Sequence, residues 1–369
     1  MLSSTSNSDR AWPEGPWLKT WLLAIALALA AVAGWEAELR HLGHRPTIVD
    51  DDALWASQRD RVYTTDGRKP IVLIGDCRIQ LGLVPQVLRN SLPGRRIVQL
   101  AIQETSPIAT LRDLAADPRF DGIVICGLDS RQLCKDMWDT QQRYVAYYHT
   151  AYHWNARVNR FLSTLMQKTL VSLHPRLRLS ELTILLARGK PFPAPYYLET
   201  HADRSRLADY GGVDLEAHRK WALDRTHWLS NDRQLPGVEE WLHDAMEVEE
   251  WVGTIQARGG RVVFMRPPTS GQVYDYEEFI FPKAMFWDAF AARTSALCIH
   301  FKDVPQLAGF DCPDTVHLDR ADAPRFTREL GKTLVARDLL GEPTCAVASE
   351  HAAAGSASHH RHKSGVDYP

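Results

Sequence analysis

The sequence predicts an α/β domain with a mostly parallel sheet, and two observations support this. Short apolar runs at 71–75, 96–102 and 122–128 alternate with segments of helical periodicity, which is typical of βαβ units. The alternation resumes after a long middle segment, with runs at 261–268 and near 297–302. Because parallel strands are buried on both faces, they read as continuous apolar runs rather than as alternating ones.

Periodicity and end signals predict the helices. After the second strand, Ser106 is expected to be the N-cap and Pro107 the first helical residue. An apolar stripe over 238–255 predicts one helix, ended by two glycines, and a last helix is predicted over 323–340. The aromatic- and proline-rich middle, 131–235, interrupts the rhythm and is interpreted as a helical insertion or lid over one sheet edge. A helical layer of the same core is the alternative.

The N-terminal segment is apolar and carries no charge from Thr20 to Trp35. With Lys19 snorkelling towards headgroups, residues 17–35 are just long enough to cross a bilayer, and tryptophans lie at both ends. The alternative is a cleaved signal peptide, since Ala31-Val32-Ala33 resembles a cleavage site. Both interpretations export the rest of the chain.

These features divide the chain into consecutive regions. They are a cytoplasmic N-terminus at 1–16, a transmembrane anchor or signal peptide at 17–35, a stalk at 36–67, an α/β domain at 68–345 and a disordered tail at 346–369. The formal net charge of −2 does not suggest a nucleic-acid partner. None of the six cysteines forms a CxxC pair, so no zinc site is expected, and no metal or organic cofactor is implied.

Two short motifs could carry chemistry. Gly75-Asp76-Cys77 ends the first predicted strand, and open parallel sheets place their sites at the carboxyl ends of strands. Asp314 and His317 lie three residues apart, just before the last helix. A nucleophile at a strand-to-helix turn gains the field and the free N–H groups of a helix N-terminus. A histidine within reach would accept its proton, and an aspartate would orient the ring.

The stretch IVLIGDCRIQLGL resembles the first block of the SGNH/GDSL hydrolase superfamily, where a Gly-Asp-Ser turn carries the nucleophile. DTVHLD resembles the last block, Asp-x-x-His, which supplies the base and its orienting acid. The chain is also similar to the membrane-anchored bacterial SGNH-like proteins of alginate O-acetylation and teichoic acid D-alanylation. The resemblance covers about 68–340 in architecture and implies a three-layer α/β/α sandwich of flavodoxin-like SGNH type.

The resemblance implies a catalytic triad in which Cys77 replaces the usual serine, His317 is the base and Asp314 orients it. Arg78 is the cation adjacent to this thiol. Cys312 lies two residues before Asp314, so a disulfide with Cys77 is a further hypothesis.

Two departures from the family pattern concern the oxyanion hole. Gln103 and Glu104 stand where the second block normally offers a glycine N–H, and Gly127 and Asp129 stand where the third block normally gives Gly-x-Asn. The amide of Gln103 is a substitute donor. The predicted oxyanion and substrate-binding residues are Arg78, Gln103, Gly127 and Arg266. Arg266 is included because it ends a late strand at the same edge of the sheet.

The function implied by the resemblance is that of an acyl ester hydrolase or O-acyltransferase acting on a cell-envelope glycan. The alternative is a non-catalytic SGNH-like binding or scaffold partner of a membrane-bound O-acyltransferase. The expected partners are that acyltransferase, a polysaccharide or acyl ester, and the membrane itself. The expected location is the bacterial inner membrane, with a single span and the domain on the periplasmic or extracytoplasmic side.

Overall fold

The computed structural model describes residues 15–65, 67–231 and 235–337 of the 369-residue chain. The strands in these ranges are β1 Ile71–Ile74, β2 Ile97–Gln99, β3 Ile123–Gly127, β4 Leu198–Thr200, β5 Arg206–Ala208, β6 Arg261–Arg266 and β7 Leu297–His300. The α-helices are α1 Trp17–His41, α2 Asp52–Arg59, α3 Cys77–Gly82, α4 Pro85–Ser91, α5 Ile108–Ala116, α6 Gln142–Thr150, α7 Trp154–Gln167, α8 Leu179–Ala187, α9 Leu215–Asn231, α10 Val238–Ala245, α11 Val248–Ala257, α12 Gly271–Ile280, α13 Trp287–Ala291, α14 Pro305–Ala308 and α15 Ala323–Ala336. Short 3₁₀ turns occur at Arg131–Leu133, Lys135–Gln141, Val171–Leu173, Pro175–Leu177, Tyr210–Gly212 and Phe301–Asp303.

The main sheet has five parallel strands in the order β2-β1-β3-β6-β7, which confirms the predicted α/β class. Counting only this sheet, the order is 2-1-3-4-5, a common doubly wound arrangement. The chain crosses to the other side of β1 between β2 and β3, so the carboxyl ends of β1 and β3 flank the topological switch point. β4 and β5 form a separate antiparallel pair.

Alternate residues of each strand enter two different hydrophobic clusters. In β1, Val72 and Ile74 pack in one cluster, while Ile71 and Leu73 pack in the other, and all four are fully buried. The first cluster lies under α2, α5, α10 and α11, and the second lies under α4 and α15. The sheet is therefore the middle of three layers.

Two helix predictions are wrong in detail. α5 begins at Ile108 with Pro107 as its cap, and the Ser106 hydroxyl instead donates to the Gln132 carbonyl over 2.7 Å. The single helix predicted over 238–255 is two helices, α10 and α11, separated at residues 246–247. Local signals placed both segments correctly, but a long-range bond decided where Ser106 points.

The middle segment combines both interpretations offered for it. Trp138, Val145 and Tyr152 pack into the main core cluster, as a helical layer would. Further along, the β4–β5 pair and α9 lie over the carboxyl edge of the sheet and line the cleft described below. The lid character therefore belongs to about 197–231.

The N-terminal helix α1 is long and apolar enough to cross a membrane, and it extends six residues beyond the predicted boundary at 35. The predicted stalk contains α2, which is packed on the domain: Trp55 is fully buried and donates to the Leu100 carbonyl over 2.9 Å. Arg59 of α2 forms a buried 2.7 Å ion pair with Asp113. The predicted tail at 346–369 lies outside the described residues.

Candidate functional site

The turn after β1 holds Cys77 at the first position of α3. Gly75 has φ +153°, and a Cβ there would lie 2.8 Å from the Gly127 carbonyl and 2.5 Å from Ile79. Only glycine allows this close approach of β1 and β3. Asp76 is the N-cap and accepts the Arg78 N–H over 2.9 Å. By helix geometry the Cys77 N–H has no intrahelical acceptor, so it is free to face a ligand.

The loop before α15 brings His317 and Asp314 together in the predicted way. His317 Nδ1 lies 2.8 Å from Asp314 Oδ2, and the His317 backbone N–H donates to Asp314 Oδ1 over 2.7 Å. Between them Thr315 has φ +73°, which is unusual for a β-branched residue. Strained backbone of this kind collects at functional sites, where the surrounding structure holds it.

The other ring nitrogen of His317 is buried and makes no hydrogen bond with any described residue. The side chain is 15% exposed. Burial alone would lower the pKa of His317, but its electrostatic interaction with Cys77 and its bond with Asp314 raise it to about 10. Since Nδ1 faces Asp314, Nε2 is the nitrogen left for Cys77, which lines the same cleft. Hydrogen bonds of catalytic groups are often loose without substrate.

Asp314 is held by a third side chain that sequence analysis missed. The Tyr210 hydroxyl donates to Asp314 Oδ2 over 2.7 Å. Burial by itself would raise the pKa of Asp314, but the bonds from His317 and Tyr210 lower it to about 2, so the carboxylate stays charged. Burial and the Asp314 charge raise the pKa of Tyr210, so it stays a donor. Tyr210 lies 104 residues before Asp314, and no local motif marks it.

A cleft of about 180 Å³ opens over these groups. Cys77, Asp314 and His317 lie in its wall with Gln103, and the wall continues along Trp221 of α9 and Phe281. Most of the lining is apolar, with charged groups at defined places, which is the usual composition of a small-molecule site.

Arg78 lies in the cleft wall but is not a free cation. Its guanidinium contacts Asp76 over 2.6 Å, Asp129 over 2.5 Å and Glu277 over 3.4 Å, and its side chain is 5% exposed. These three carboxylates come from the end of β1, the end of β3 and α12. Three negative charges around one arginine leave it little capacity to stabilise a thiolate, so the structure gives Arg78 a positioning role.

Arg266 is similarly engaged. Its guanidinium donates to the Pro267 carbonyl over 2.8 Å, to Thr269 Oγ1 over 3.1 Å and to Glu277. Glu277 therefore bridges Arg266 and Arg78. Both arginines predicted as substrate-binding residues line the cleft with most of their donors already used.

The position of Gln103 suits a hydrogen-bond donor to a ligand in the cleft. It is exposed in the cleft, and its Oε1 accepts from Arg206 over 2.9 Å, which turns the amide nitrogen away from that arginine. That nitrogen bonds to no other residue in the described part of the chain. Glu104 has φ +57°, the region where glycine is favoured, and its carboxylate pairs with Arg225 of α9 over 2.8 Å. Gly127 packs under Ile79 and lies outside the cleft lining.

The remaining predicted chemistry is separate from this site. Cys77 and Cys312 are both free thiols, and the Cys312 Sγ lies 3.6 Å from the Pro268 carbonyl, so the suggested disulfide is not formed. Within the described ranges, one group with metal-compatible geometry occurs, His243, Asp244 and Glu247. It is at the surface, and Lys135 already pairs with both of its carboxylates.

No family model, no curated protein and no solved structure matches this chain. The chemistry available to the site is therefore judged from its geometry. A partly exposed thiol, a buried imidazole with one nitrogen open and a charged carboxylate behind it form a set suited to nucleophilic catalysis.

Proposed function

We propose that this protein is an extracytoplasmic SGNH-like enzyme that transfers or hydrolyses acyl esters on a cell-envelope glycan through Cys77, His317 and Asp314. One observation carries the proposal: His317 is bound to Asp314 through Nδ1, while its buried Nε2 has no partner and couples to the thiol. An unsatisfied buried polar atom is costly, so its retention beside a nucleophile supports a proton-transfer role.

In the proposed reaction, His317 holds the proton of Cys77, and the thiolate attacks the ester carbonyl carbon. The carbonyl electrons move onto oxygen, and the tetrahedral intermediate collapses to a thioester as the carbon–oxygen bond breaks. His317 gives its proton to the leaving alkoxide. Water or an acceptor hydroxyl then attacks the thioester, His317 takes its proton, and the thiolate leaves. Asp314 and Tyr210 keep the imidazole oriented throughout.

The developing oxyanion needs hydrogen-bond donors in the cleft. The Cys77 N–H is one, because it is the first amide of α3 and has no intrahelical partner. The Gln103 amide is the second, since Arg206 holds its carbonyl and leaves its nitrogen available. Loss of one such donor typically lowers the rate by about 100- to 1,000-fold.

The proposed membrane location is supported by the N-terminal helix. α1 is long and apolar enough to anchor the chain in a membrane. The bacterial inner membrane and its extracytoplasmic side are part of the same proposal. A membrane-bound O-acyltransferase in the same bilayer is then the proposed partner, supplying or receiving the acyl group.

The test uses the full chain in detergent with p-nitrophenyl acetate and iodoacetamide. We expect ester turnover and rapid alkylation of Cys77 in the wild type, loss of both in Cys77→Ala, and slow alkylation in His317→Ala. Cys77→Ser measures how far the same machinery can activate a hydroxyl.

Cys298 is the matched control thiol. It is also partly exposed, but burial and Glu249 raise its pKa to about 12, and no histidine lies against it in the described contacts. Its alkylation should be slow and indifferent to His317→Ala. If Cys77 reacts no faster than Cys298 and no ester is turned over, the catalytic proposal fails and the binding or scaffold alternative is favoured.

A further inference from the structure

Helix α7 presents its apolar side chains outward. Phe161 is 69% exposed and Leu165 is 57% exposed, whereas Arg160 is 4% exposed. Arg160 faces the domain, where it contacts Asp51 over 3.2 Å and Gln167 over 2.9 Å. A surface helix in water normally buries its apolar stripe and exposes its polar one. The reversed orientation indicates that another apolar medium covers the outer face.

Helix α8 and the segment after it extend this surface. None of the described side chains of α8 is buried, although the helix is mainly leucine and isoleucine. Leu186 is 79% exposed, and Phe192 in the following segment is 45% exposed. Scattered exposed apolar residues are ordinary, but two helices that follow one another in the chain and both expose apolar side chains are not scattered in this way.

The same surface carries unpaired positive charge. From 161 to 196 the sequence has five basic residues and one acidic residue, Glu181. All five basic side chains are exposed, and none forms an ion pair with a described residue; they are Lys168, Arg176, Arg178, Arg188 and Lys190. The chain as a whole has a net charge of −2, so this concentration is local. Apolar side chains bordered by free basic ones are typical of helices that lie in the membrane interface.

The surface is continuous with the N-terminal helix. Trp35, at the end of the uncharged segment, contacts Phe192 with ring centroids 6.3 Å apart. The carboxylate of the next residue, Glu36, accepts the N–H groups of Val171 and Ser172 over 2.6 and 3.1 Å, in the connection between α7 and α8. Leu39 packs in a small buried cluster with Val171. α7 and α8 are therefore fixed against α1 at the level where its apolar part ends.

We propose that α7, α8 and the segment to residue 196 form a second membrane contact, which lies in the headgroup region of the bilayer that α1 crosses and favours anionic lipids. Phe161, Leu165 and Leu186 enter the acyl boundary, while the five basic side chains reach lipid phosphates. This contact fixes the orientation of the domain, which a single spanning helix would leave free to tilt. It does not depend on whether Cys77 is catalytic.

The test places a nitroxide label at Leu165→Cys or Leu186→Cys in the full chain, reconstituted in phosphatidylcholine vesicles with or without phosphatidylglycerol. Because α1 keeps the chain on the vesicle, the labels report only on the surface. We expect collisions with oxygen to exceed those with a water-soluble nickel chelate several-fold. The matched control is Val335→Cys on α15, which is 56% exposed and should show the reverse. The chain without an added cysteine gives the background from native thiols.

Each other result overturns the proposal. Nickel accessibility equal to that of the Val335 label would mean that the helices face water. Shielding from both reagents would mean that protein, such as a second copy, covers them. The preference for anionic lipid is tested by Arg188→Glu with Lys190→Glu, which should reduce the oxygen-to-nickel ratio several-fold in phosphatidylglycerol vesicles only. An equal effect in phosphatidylcholine alone would contradict that part.

Discussion

The two ends of the cleft are both buried and polar, yet their bonding differs. At one end, the Arg78 guanidinium contacts Asp76, Asp129 and Glu277, so its donors are engaged. At the other end, His317 is held on one side by Asp314 and left open on the other. Saturated buried networks fix geometry, whereas an open buried atom is held ready for a partner that arrives later. The first end therefore positions the strand ends, and the second is where chemistry can occur.

The largest expected effect is at the open end. His317→Gln should lower ester turnover about 100- to 10,000-fold, because it removes the proton acceptor of Cys77. The urea midpoint should fall as well, because glutamine lacks the charge that pairs with the buried Asp314 carboxylate, so turnover is compared on folded protein. Steady-state kinetics and urea unfolding in the same detergent measure both quantities. Turnover that survives this change would remove His317 from the mechanism.

At the saturated end, substitution of Arg78 should act mainly on the stability of the fold. Arg78→Met leaves buried carboxylates without their cation, which typically destabilises a protein by about 3–5 kcal/mol. Urea unfolding monitored by tryptophan fluorescence gives the change. Arg325→Met is the control, because that arginine is 68% exposed and should leave the midpoint close to wild type. Equal midpoints for the two variants would contradict the positioning role of Arg78.

A smaller effect is expected behind the imidazole. Tyr210→Phe removes one hydrogen bond to the charged Asp314 and adds no unsatisfied group, so the free energy of unfolding should fall by about 1.5–3 kcal/mol. Ester turnover should also fall, because the carboxylate that orients His317 is less firmly held. Calorimetric melting measures the change in stability, and steady-state kinetics measure the change in ester turnover. A stability loss with no kinetic change would restrict Tyr210 to packing.

The coupling between thiol and imidazole can be measured directly. The pKa of His317, raised to about 10, should fall in Cys77→Ala, because the Cys77 charge is the largest contribution that raises it. In the folded wild type the ring is protonated at pH values where an unfolded histidine, with a pKa near 6.5, is neutral. The resulting stabilisation is present below that value and is lost as pH rises through about 10. Nitrogen-15 NMR of the imidazole follows the titration. An unchanged pKa of His317 in Cys77→Ala would show that the two residues are not coupled.

The smallest expected effect is at Glu104. Glu104→Gly should change the free energy of unfolding by less than about 1 kcal/mol, because relief of its left-handed backbone offsets the loss of a surface ion pair. Glu104→Ala loses the same pair without that relief and should be the less stable variant. Urea midpoints compare them, and the reverse order would show that the ion pair outweighs the backbone term.

Local patterns predicted what depends on local forces. The apolar run at β1 folded as a buried parallel strand because continuous hydrophobicity suits no exposed element. Asp314 and His317 were found because three residues of spacing let a carboxylate cap a short loop and reach the ring. Ser106 was misjudged because its hydroxyl found a distant carbonyl rather than the helix N–H groups expected from the sequence.

By itself, the sequence determined the α/β class, the position of the Gly75-Asp76-Cys77 turn and the pairing of Asp314 with His317, since each depends on residues near one another along the chain. Only the tertiary structure decided that Arg78 is neutralised by three carboxylates, that Tyr210 supports Asp314 and that α7 turns its apolar face outward. These features depend on which groups meet across tens to hundreds of residues. Burial and charge pairing determine these contacts, and local periodicity does not predict them.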